Sequence, residues 1–489
     1  MDRRHPGGLA SYVRAMDADQ FRKLGHALVD WIADYREGLA ARPVMSPAQP
    51  GEIKARLPRT PPEHGGGAGA LIAHLDADVM PGITHWSHPG FFAYFPSITS
   101  YASILGDLAC AGLGVQGMSW QTSPAATEVE EVMMDWLRQM VGLSAAWTGV
   151  IQDTASTATL SALICARERL TDFAPVGLQT PGGALTVYTS VEAHSSVEKA
   201  VRLAGLGKAH LRAIATDAAR ALRPDALREA IERDRAAGLR PCAVVATAGT
   251  TNTTAFDPLD AIADVTEAHA LWLHVDAAMA GTAMIAPECR RLWQGVERAD
   301  SLVFNPHKWL GAGFDLSAYY CRDPQHLIRV MGTNPAVLRT QHDGAVSNFR
   351  DWHIQLGRRF RALKLWFQLL DQGVAGIRDR IRRDLANAQW LAGQVAAAPG
   401  WEVVAPVALQ TVCVRHVPAG LAEPAASAHN LAIGRRINDG GRAYLTPSLL
   451  DGKQILRIAI GAERTEREHV AALWTELQAA AEAIGVGAT

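Results

Sequence analysis

Between about residues 150 and 322, short β-rich runs alternate with helical ones, and no other feature of this chain constrains its fold more tightly. The runs are Leu185-Thr-Val-Tyr-Thr, Leu211-Arg-Ala-Ile-Ala, Ala243-Val-Val-Ala-Thr, Leu271-Trp-Leu-His-Val, Ser301-Leu-Val-Phe and Ser317-Ala-Tyr-Tyr-Cys. Such alternation predicts an α/β fold with a mainly parallel sheet and helices on both faces, because parallel neighbours need a long crossover and a helix supplies it compactly. Ligands of open α/β sheets bind beyond the carboxyl ends of the strands. Residues that directly follow the runs are therefore the first candidates for function.

The flanking segments read differently. Phe21, Leu24, Leu28, Trp31, Ile32, Tyr35 and Leu39 fall at helical spacing behind Asp17 or Asp19 as N-cap, which predicts an amphipathic helix in need of a surface to cover. A proline-rich stretch from Pro43 to Pro62 closes in Gly65-Gly66-Gly67 and reads as an irregular arm. The helix and arm fit either a second subunit or the chain's own surface. Downstream, long helical patterns cover about 352–371 and 376–397. Strand candidates near 401–404, 410–415, 442–446 and 454–460 surround a helix near 426–438, and a last helix covers about 463–485. The chain thus ends in a smaller α+β domain.

With 489 residues, 48% of them hydrophobic, the chain can bury an ample core, and its net charge of −2 offers no surplus to hold nucleic acid or an anionic membrane. The six cysteines, at 110, 165, 242, 289, 321 and 413, lack CxxC spacing, so neither a disulfide framework nor a metal site is indicated. No apolar run of about 18 residues and no apolar signal core is present. A cytoplasmic location is the expectation.

Two charged residues stand at strand ends. Asp276 lies in His274-Val275-Asp276-Ala277-Ala278, and Lys308 in Phe304-Asn305-Pro306-His307-Lys308-Trp309. Taken singly, one is a capping aspartate and the other a surface lysine. Together they are the groups that pyridoxal phosphate needs, an amine for the cofactor aldehyde and a carboxylate that keeps the pyridine nitrogen protonated. Gly149-Val-Ile-Gln-Asp153-Thr154-Ala155-Ser156-Thr157 opens an apolar helical run, where small hydroxyl residues and free amides either cap the helix or hold a phosphate. His194, in Ala193-His194-Ser195-Ser196, follows another strand and can stack on a pyridine ring and handle protons, or serve only as a loop residue. Ala248-Gly249-Thr250-Thr251-Asn252 is a further strand-end turn, and His307 can hydrogen-bond a phosphate.

With these motifs, together with Met80-Pro-Gly-Ile-Thr-His-Trp86, Phe91-Phe-Ala-Tyr-Phe-Pro96, Ser123-Pro-Ala-Ala-Thr-Glu128 and Leu356-Gly-Arg-Arg-Phe-Arg-Ala-Leu-Lys364, the chain resembles the pyridoxal-phosphate-dependent group II amino-acid decarboxylases, closest to the aromatic-L-amino-acid decarboxylases. The resemblance implies a fold-type-I, aspartate-aminotransferase-like homodimer with shared active sites and a mainly parallel seven-stranded sheet. It implies an N-terminal helical arm over the partner (1–96), a large cofactor-binding domain (97–350) and a small C-terminal domain (351–489). By the same resemblance Lys308 forms the Schiff base, Asp276 pairs with the pyridinium and His194 stacks on the ring. Ala155, Ser156, Asn305 and His307 bind phosphate, and Thr251 and Ala278 lie near the ring. Trp86, Tyr94, Phe95, Pro96 and Ser97 form the substrate pocket, with Gln116 and Met118 reaching in from the neighbouring subunit and Gly357 leaving room near the base of a loop. The implied reaction is decarboxylation of an aromatic L-amino acid (Trp, Phe, Tyr or dihydroxyphenylalanine) to its amine.

The chain departs from the family pattern in several places. In Met331-Gly-Thr-Asn334-Pro335-Ala336-Val337-Leu338, Val337 stands where the family's mobile loop carries a tyrosine that helps protonate the substrate carbon. Loss of that donor is associated in the family with aldehyde synthases, in which oxygen acts as co-substrate and aldehyde, ammonia and peroxide are formed. Ordinary decarboxylation is the first expectation and the aldehyde reaction the second. Ser97 replaces a threonine, Gln116 and Met118 replace aliphatic and aromatic residues, and Met279 replaces a common tyrosine. Aminotransferases and cysteine desulfurases share the lysine and aspartate but are not expected to carry His194-Ser-Ser-Val-Glu with Asn305-Pro-His-Lys. A non-enzymatic binding protein on the same scaffold would be expected to lose Lys308 or Asp276, and both are present.

Overall fold

The computed structural model describes residues 16–64, 68–171, 173–177, 182–333 and 335–485. The glycines 65–67 that close the expected arm, and Asn334 of the loop, lie outside the described residues.

Two sheets organise the chain. In sequence order the strands are β1 (Phe91–Phe92), β2 (Thr148–Gln152), β3 (Leu185–Ser190), β4 (Leu211–Ile214), β5 (Arg240–Thr247), β6 (Trp272–Asp276), β7 (Ser301–Phe304), β8 (Ser317–Cys321), β9 (Trp401–Val403), β10 (Thr411–His416), β11 (Tyr444–Leu450) and β12 (Lys453–Ala459). The larger sheet has the order β2-β8-β7-β6-β5-β3-β4. Neighbours from β7 to β4 are parallel, and β8 runs antiparallel to both β2 and β7. The expected seven-stranded, mainly parallel sheet is present. Its edge strand β2 covers residues that had been read only as the approach to a phosphate loop.

The central strands β6 and β7 are buried from end to end, which is why they read as continuous apolar runs rather than alternating ones. Side chains along β5 alternate between two cores. Val244 and Ala246 pack with Leu227, Ile231 and Ile262 from helices Pro224–Ala236 and Leu259–His269. Ala243 and Val245 pack with Ala162, Val197 and Val201 from helices Ala155–Leu170 and Ser196–Leu203 on the other face.

The smaller sheet has the order β1-β11-β12-β10-β9 and is antiparallel except where β1 joins β11. Helices Glu423–Asp439 and Arg467–Ile484 pack against it around a core of Ile433, Leu456, Ile458 and Leu473. Because β1 belongs to this sheet, the residues just after it, 94–97, are carried between the two sheets.

The expected helical stretch 352–371 is corrected. The helix starts at Ala362 and runs to Ala397, with one non-helical residue, Gly373, at φ 60°. Before it, tertiary partners claim the backbone that helical periodicity had reserved. The Arg358 N–H donates to Gln116 Oε1 at 2.6 Å, and the Arg358 carbonyl accepts from Gly117 at 2.9 Å. Among the described residues, no helix is long and apolar enough to cross a membrane. All six cysteines are buried and unbridged.

Candidate active site

A cleft of about 470 Å³ opens at the carboxyl ends of the parallel strands, lined by Trp86, Tyr94, Phe95, Ser97, His194, Thr251, His307, Lys308 and Phe314. Eight of these nine were named from sequence.

Lys308 sits in the turn Pro306–Leu310 that follows β7, its backbone N–H held by the Asn305 carbonyl at 2.9 Å. Its Nζ lies 5.4 Å from the centroid of the Phe95 ring. Burial, opposed by the Asp276 carboxylate and reinforced by the Arg457 guanidinium, holds the amine below the usual lysine range. A lysine so shifted spends more time as the free amine that attacks an aldehyde. Asp276 ends β6 one strand away, buried, with one carboxylate oxygen accepting from the Ala278 N–H at 3.0 Å.

His194 is oriented by its own turn: the Ser196 N–H donates to Nδ1 at 3.1 Å, and the Ser196 hydroxyl lies 2.8 Å from the same nitrogen. Nδ1 is thus an acceptor, and Nε2 carries the proton of the neutral ring. Burial lowers the His194 pKa, Asp276 pulls the other way, and Lys308 adds to the lowering. His307 is similar. Its Nδ1 accepts from the Leu316 N–H at 2.9 Å, and burial, with Lys308 adding, pushes its pKa down to about 3. It is a neutral Nε2–H donor.

Ala155 and Ser156 form the first turn of helix Ala155–Leu170, where amides lack intrahelical acceptors; Thr154 caps the next one, from Thr157, at 3.4 Å. Ser317 ties this turn to the lysine segment, its Oγ 2.7 Å from Asn305 Oδ1 and 3.3 Å from the Asp153 carbonyl. A positive helix end, neutral imidazole donors, a buried carboxylate and an amine of lowered pKa converge at one end of the sheet. This donor set fits pyridoxal phosphate, an anion at one end and a protonated ring nitrogen and aldehyde at the other.

The aromatic wall is built from β1 and the smaller sheet. Trp86 stacks on Tyr94 with centroids 5.5 Å apart and planes 14° from parallel, and the Tyr94 hydroxyl lies 3.1 Å from that of Tyr444. The Ser97 hydroxyl donates to the His307 carbonyl at 3.1 Å, which ties the wall to the lysine turn. Pro96, between Phe95 and Ser97, packs so closely that glycine is required opposite it: a Cβ on Gly461 would stand 2.7 Å from Pro96 Cγ and 3.3 Å from the Trp309 ring.

Five of the residues singled out in the sequence are not brought to this cleft. Val337 is 88% exposed. Gln116 and Gly357 are mutual neighbours, a Gly357 Cβ falling 3.1 Å from Gln116 Nε2, and the Met118 carbonyl accepts from Arg350 at 2.8 Å. Met279 is buried, its sulfur 3.2 Å from Gln410 Nε2. Sequence reasoning missed the parts that Phe314, Tyr444, Ser317 and Arg457 play here, because their partners at the site are distant in sequence or set by tertiary packing. Arg457 had one clue, a charge in an otherwise apolar strand run, Ile455-Leu-Arg-Ile-Ala-Ile.

A lysine and a carboxylate at adjacent strand ends, facing a helix N-terminus, define a pyridoxal-phosphate-dependent enzyme of fold type I. The chain belongs to the pyridoxal-dependent decarboxylase family, whose conserved domain matches residues 50–417, and it is a carboxy-lyase that uses this cofactor. It is 39% identical to phenylacetaldehyde synthase of Arabidopsis thaliana over 96% of this chain and 98% of that protein. It is 41% identical to aromatic-L-amino-acid decarboxylase of Sus scrofa over 95% of this chain and 96% of that protein. The crystal structure of Oryza sativa TDC with PLP and tryptamine superposes with a TM-score of 0.93 at 38% identity, covering 96% of this chain and 99% of that one.

Proposed function

We propose that this chain decarboxylates an aromatic L-amino acid to the corresponding amine and carbon dioxide, as a cytoplasmic homodimer. One observation carries the reading: an amine of lowered pKa, Lys308, lies in a cleft that His194 and the Trp86, Tyr94 and Phe95 rings also line. Relatives named for aromatic substrates support it.

In this reading Lys308 holds the cofactor aldehyde, and Asp276 keeps a proton on the ring nitrogen. The Ala155 and Ser156 amides, Asn305 and the His307 Nε2–H hold the phosphate, while Ala278 and Thr251 flank the ring. When bound, pyridoxal phosphate supplies the sink for the electron pair left when the bond from Cα to the carboxylate breaks. His194 stacks on the ring and delivers a proton to Cα from Nε2. Trp86, Tyr94, Phe95, Pro96 and Ser97 orient the substrate, Gln116 and Met118 complete the wall from the partner subunit, and Gly357 leaves room near the base of the loop. Exposed apolar side chains support the dimer: Phe21, Leu28 and Val29 on the N-terminal helix, and Leu105, Leu108 and Leu113 on helix Tyr101–Leu113.

Val337 favours a second reading, oxygen-dependent conversion to the aldehyde, because its side chain has no proton to give; the match to phenylacetaldehyde synthase supports it. Incubating the loaded enzyme with Trp, Phe, Tyr and dihydroxyphenylalanine while following amine, aldehyde, peroxide and oxygen separates the two. Amine without oxygen uptake is the expected outcome. Aldehyde with matching peroxide would replace the first reading by the second, and carbon dioxide from none of the four would reject both.

A further inference from the structure

Arg457 is buried, at 3% exposure, in β12. Among the described residues no carboxylate pairs with it. Its Nε lies 2.9 Å from the Thr251 carbonyl and 3.0 Å from the Asn252 carbonyl, and one terminal nitrogen donates to the Tyr94 carbonyl. The other terminal nitrogen is buried without a partner. The guanidinium carbon lies 4.5 Å from the centroid of Phe95, the ring that Lys308 Nζ also approaches, at 5.4 Å.

An unpaired buried cation is unfavourable unless its surroundings use it. Here its three acceptors belong to the two loops that wall the cleft, 94–97 and 250–252. Tyr94 needs holding, because its φ of 49° is a left-handed conformation that a tyrosine rarely adopts. The same hairpin grips both loops elsewhere: Thr446 Oγ1 accepts from the Tyr94 N–H at 2.8 Å, and Asn252 Nδ2 donates to the Leu449 carbonyl at 3.0 Å.

We propose that Arg457 is a positioning residue with two separable effects: its fork of donors locks the two substrate-wall loops to the smaller sheet, and its unpaired charge opposes a second positive charge on Lys308. The charged and titratable groups facing Lys308 are Asp276, His194, His307 and Arg457. Of these Asp276 favours the protonated amine and Arg457 opposes it. Burial, with Cys413 opposing, lowers the Arg457 guanidinium pKa to about 10, so it is still charged at neutral pH. The proposal rests on Lys308 as the cofactor-binding lysine.

The test uses the loaded enzyme with Arg457→Gln and Arg457→Lys, reading the pH midpoint of the cofactor's visible absorbance band alongside KM and kcat. Arg457→Gln should raise the midpoint by about one unit, since a repelling charge is gone, and should raise KM. Arg457→Lys keeps the charge but not the planar fork. Its midpoint should stay near that of the wild type while KM rises about tenfold, the equivalent of one lost hydrogen bond. An unchanged midpoint in Arg457→Gln would overturn the charge effect, and an unchanged KM in Arg457→Lys would overturn the clamp. Should Arg457→Gln fail to fold, Arg457→Met tests the charge in its place, with a raised midpoint expected and an unchanged midpoint counting against it. Borohydride reduction and peptide mapping of the wild type test the lysine independently; label on a residue other than Lys308 would refute that assignment and with it the charge effect, leaving the clamp to stand or fall on KM.

Discussion

The backbone N–H of Ser196 donates to Nδ1 of His194 across 3.1 Å, so one turn decides which imidazole nitrogen carries a proton. Since the ring pKa lies below the ordinary histidine value, His194 is a neutral Nε2–H donor near pH 7. His194→Gln should lower turnover by about 10²–10⁴-fold, the range for loss of a positioned proton donor, while the cofactor's visible band is kept. Full turnover in this variant would assign Cα protonation to another group.

Lys308→Ala should abolish the visible band and the borohydride-fixed adduct and reduce activity to background. A band that persists and reduces onto another lysine would move the site.

Val337 is 88% exposed, so replacing it should alter stability by no more than about 0.5 kcal/mol. Any change in product is then chemical. Val337→Tyr should increase the ratio of amine to aldehyde, measured by chromatography of both products. An unchanged ratio removes the loop residue from the explanation.

Glu130 and Arg358 form an ion pair at 2.6 Å with both side chains 2% exposed. They also hold the Ile151 N–H and carbonyl, at 2.9 and 2.8 Å, just before the turn that would carry the phosphate. Glu130→Ala should lower stability by about 3–5 kcal/mol, because it strands a buried charge. Urea denaturation should show a lower midpoint at constant slope, and the cofactor should be lost more readily. A midpoint like that of the wild type would contradict the burial.

Burial holds His88 and His274 near a pKa of about 4, and His307 and His353 near about 3. Above pH 6.5 neither folded nor unfolded chain protonates them. Below it the unfolded chain binds protons that the folded chain refuses, so stability falls as pH falls, by up to about 1.4 kcal/mol per pH unit for each histidine, until the folded values are reached. Equilibrium unfolding at pH 7, 6 and 5 should register this decline; a flat profile would mean that these rings ionise inside the fold.

Much of the architecture was legible because it is written locally. Strand runs such as Ser301-Leu-Val-Phe and the helical pattern near 426–438 depend on side-chain periodicity, and they reappear as β7 and helix Glu423–Asp439. The lysine, aspartate and histidine were legible because the chemistry needs those residue types at strand ends. Residues 352–361 were misread as helix because their backbone partners, Gln116 and Gly117, are more than 200 positions away.

By itself the sequence determined the fold class, the cofactor chemistry and the polypeptide segments that meet around it, since periodicity, turn residues and reactive groups are properties of short stretches. Only the tertiary structure decided which nitrogen of His194 is protonated, that β1 crosses to the smaller sheet, and that an unpaired Arg457 joins the two walls of the cleft. Those features depend on distances between groups hundreds of residues apart and on how much water is excluded between them, and no local pattern encodes either quantity.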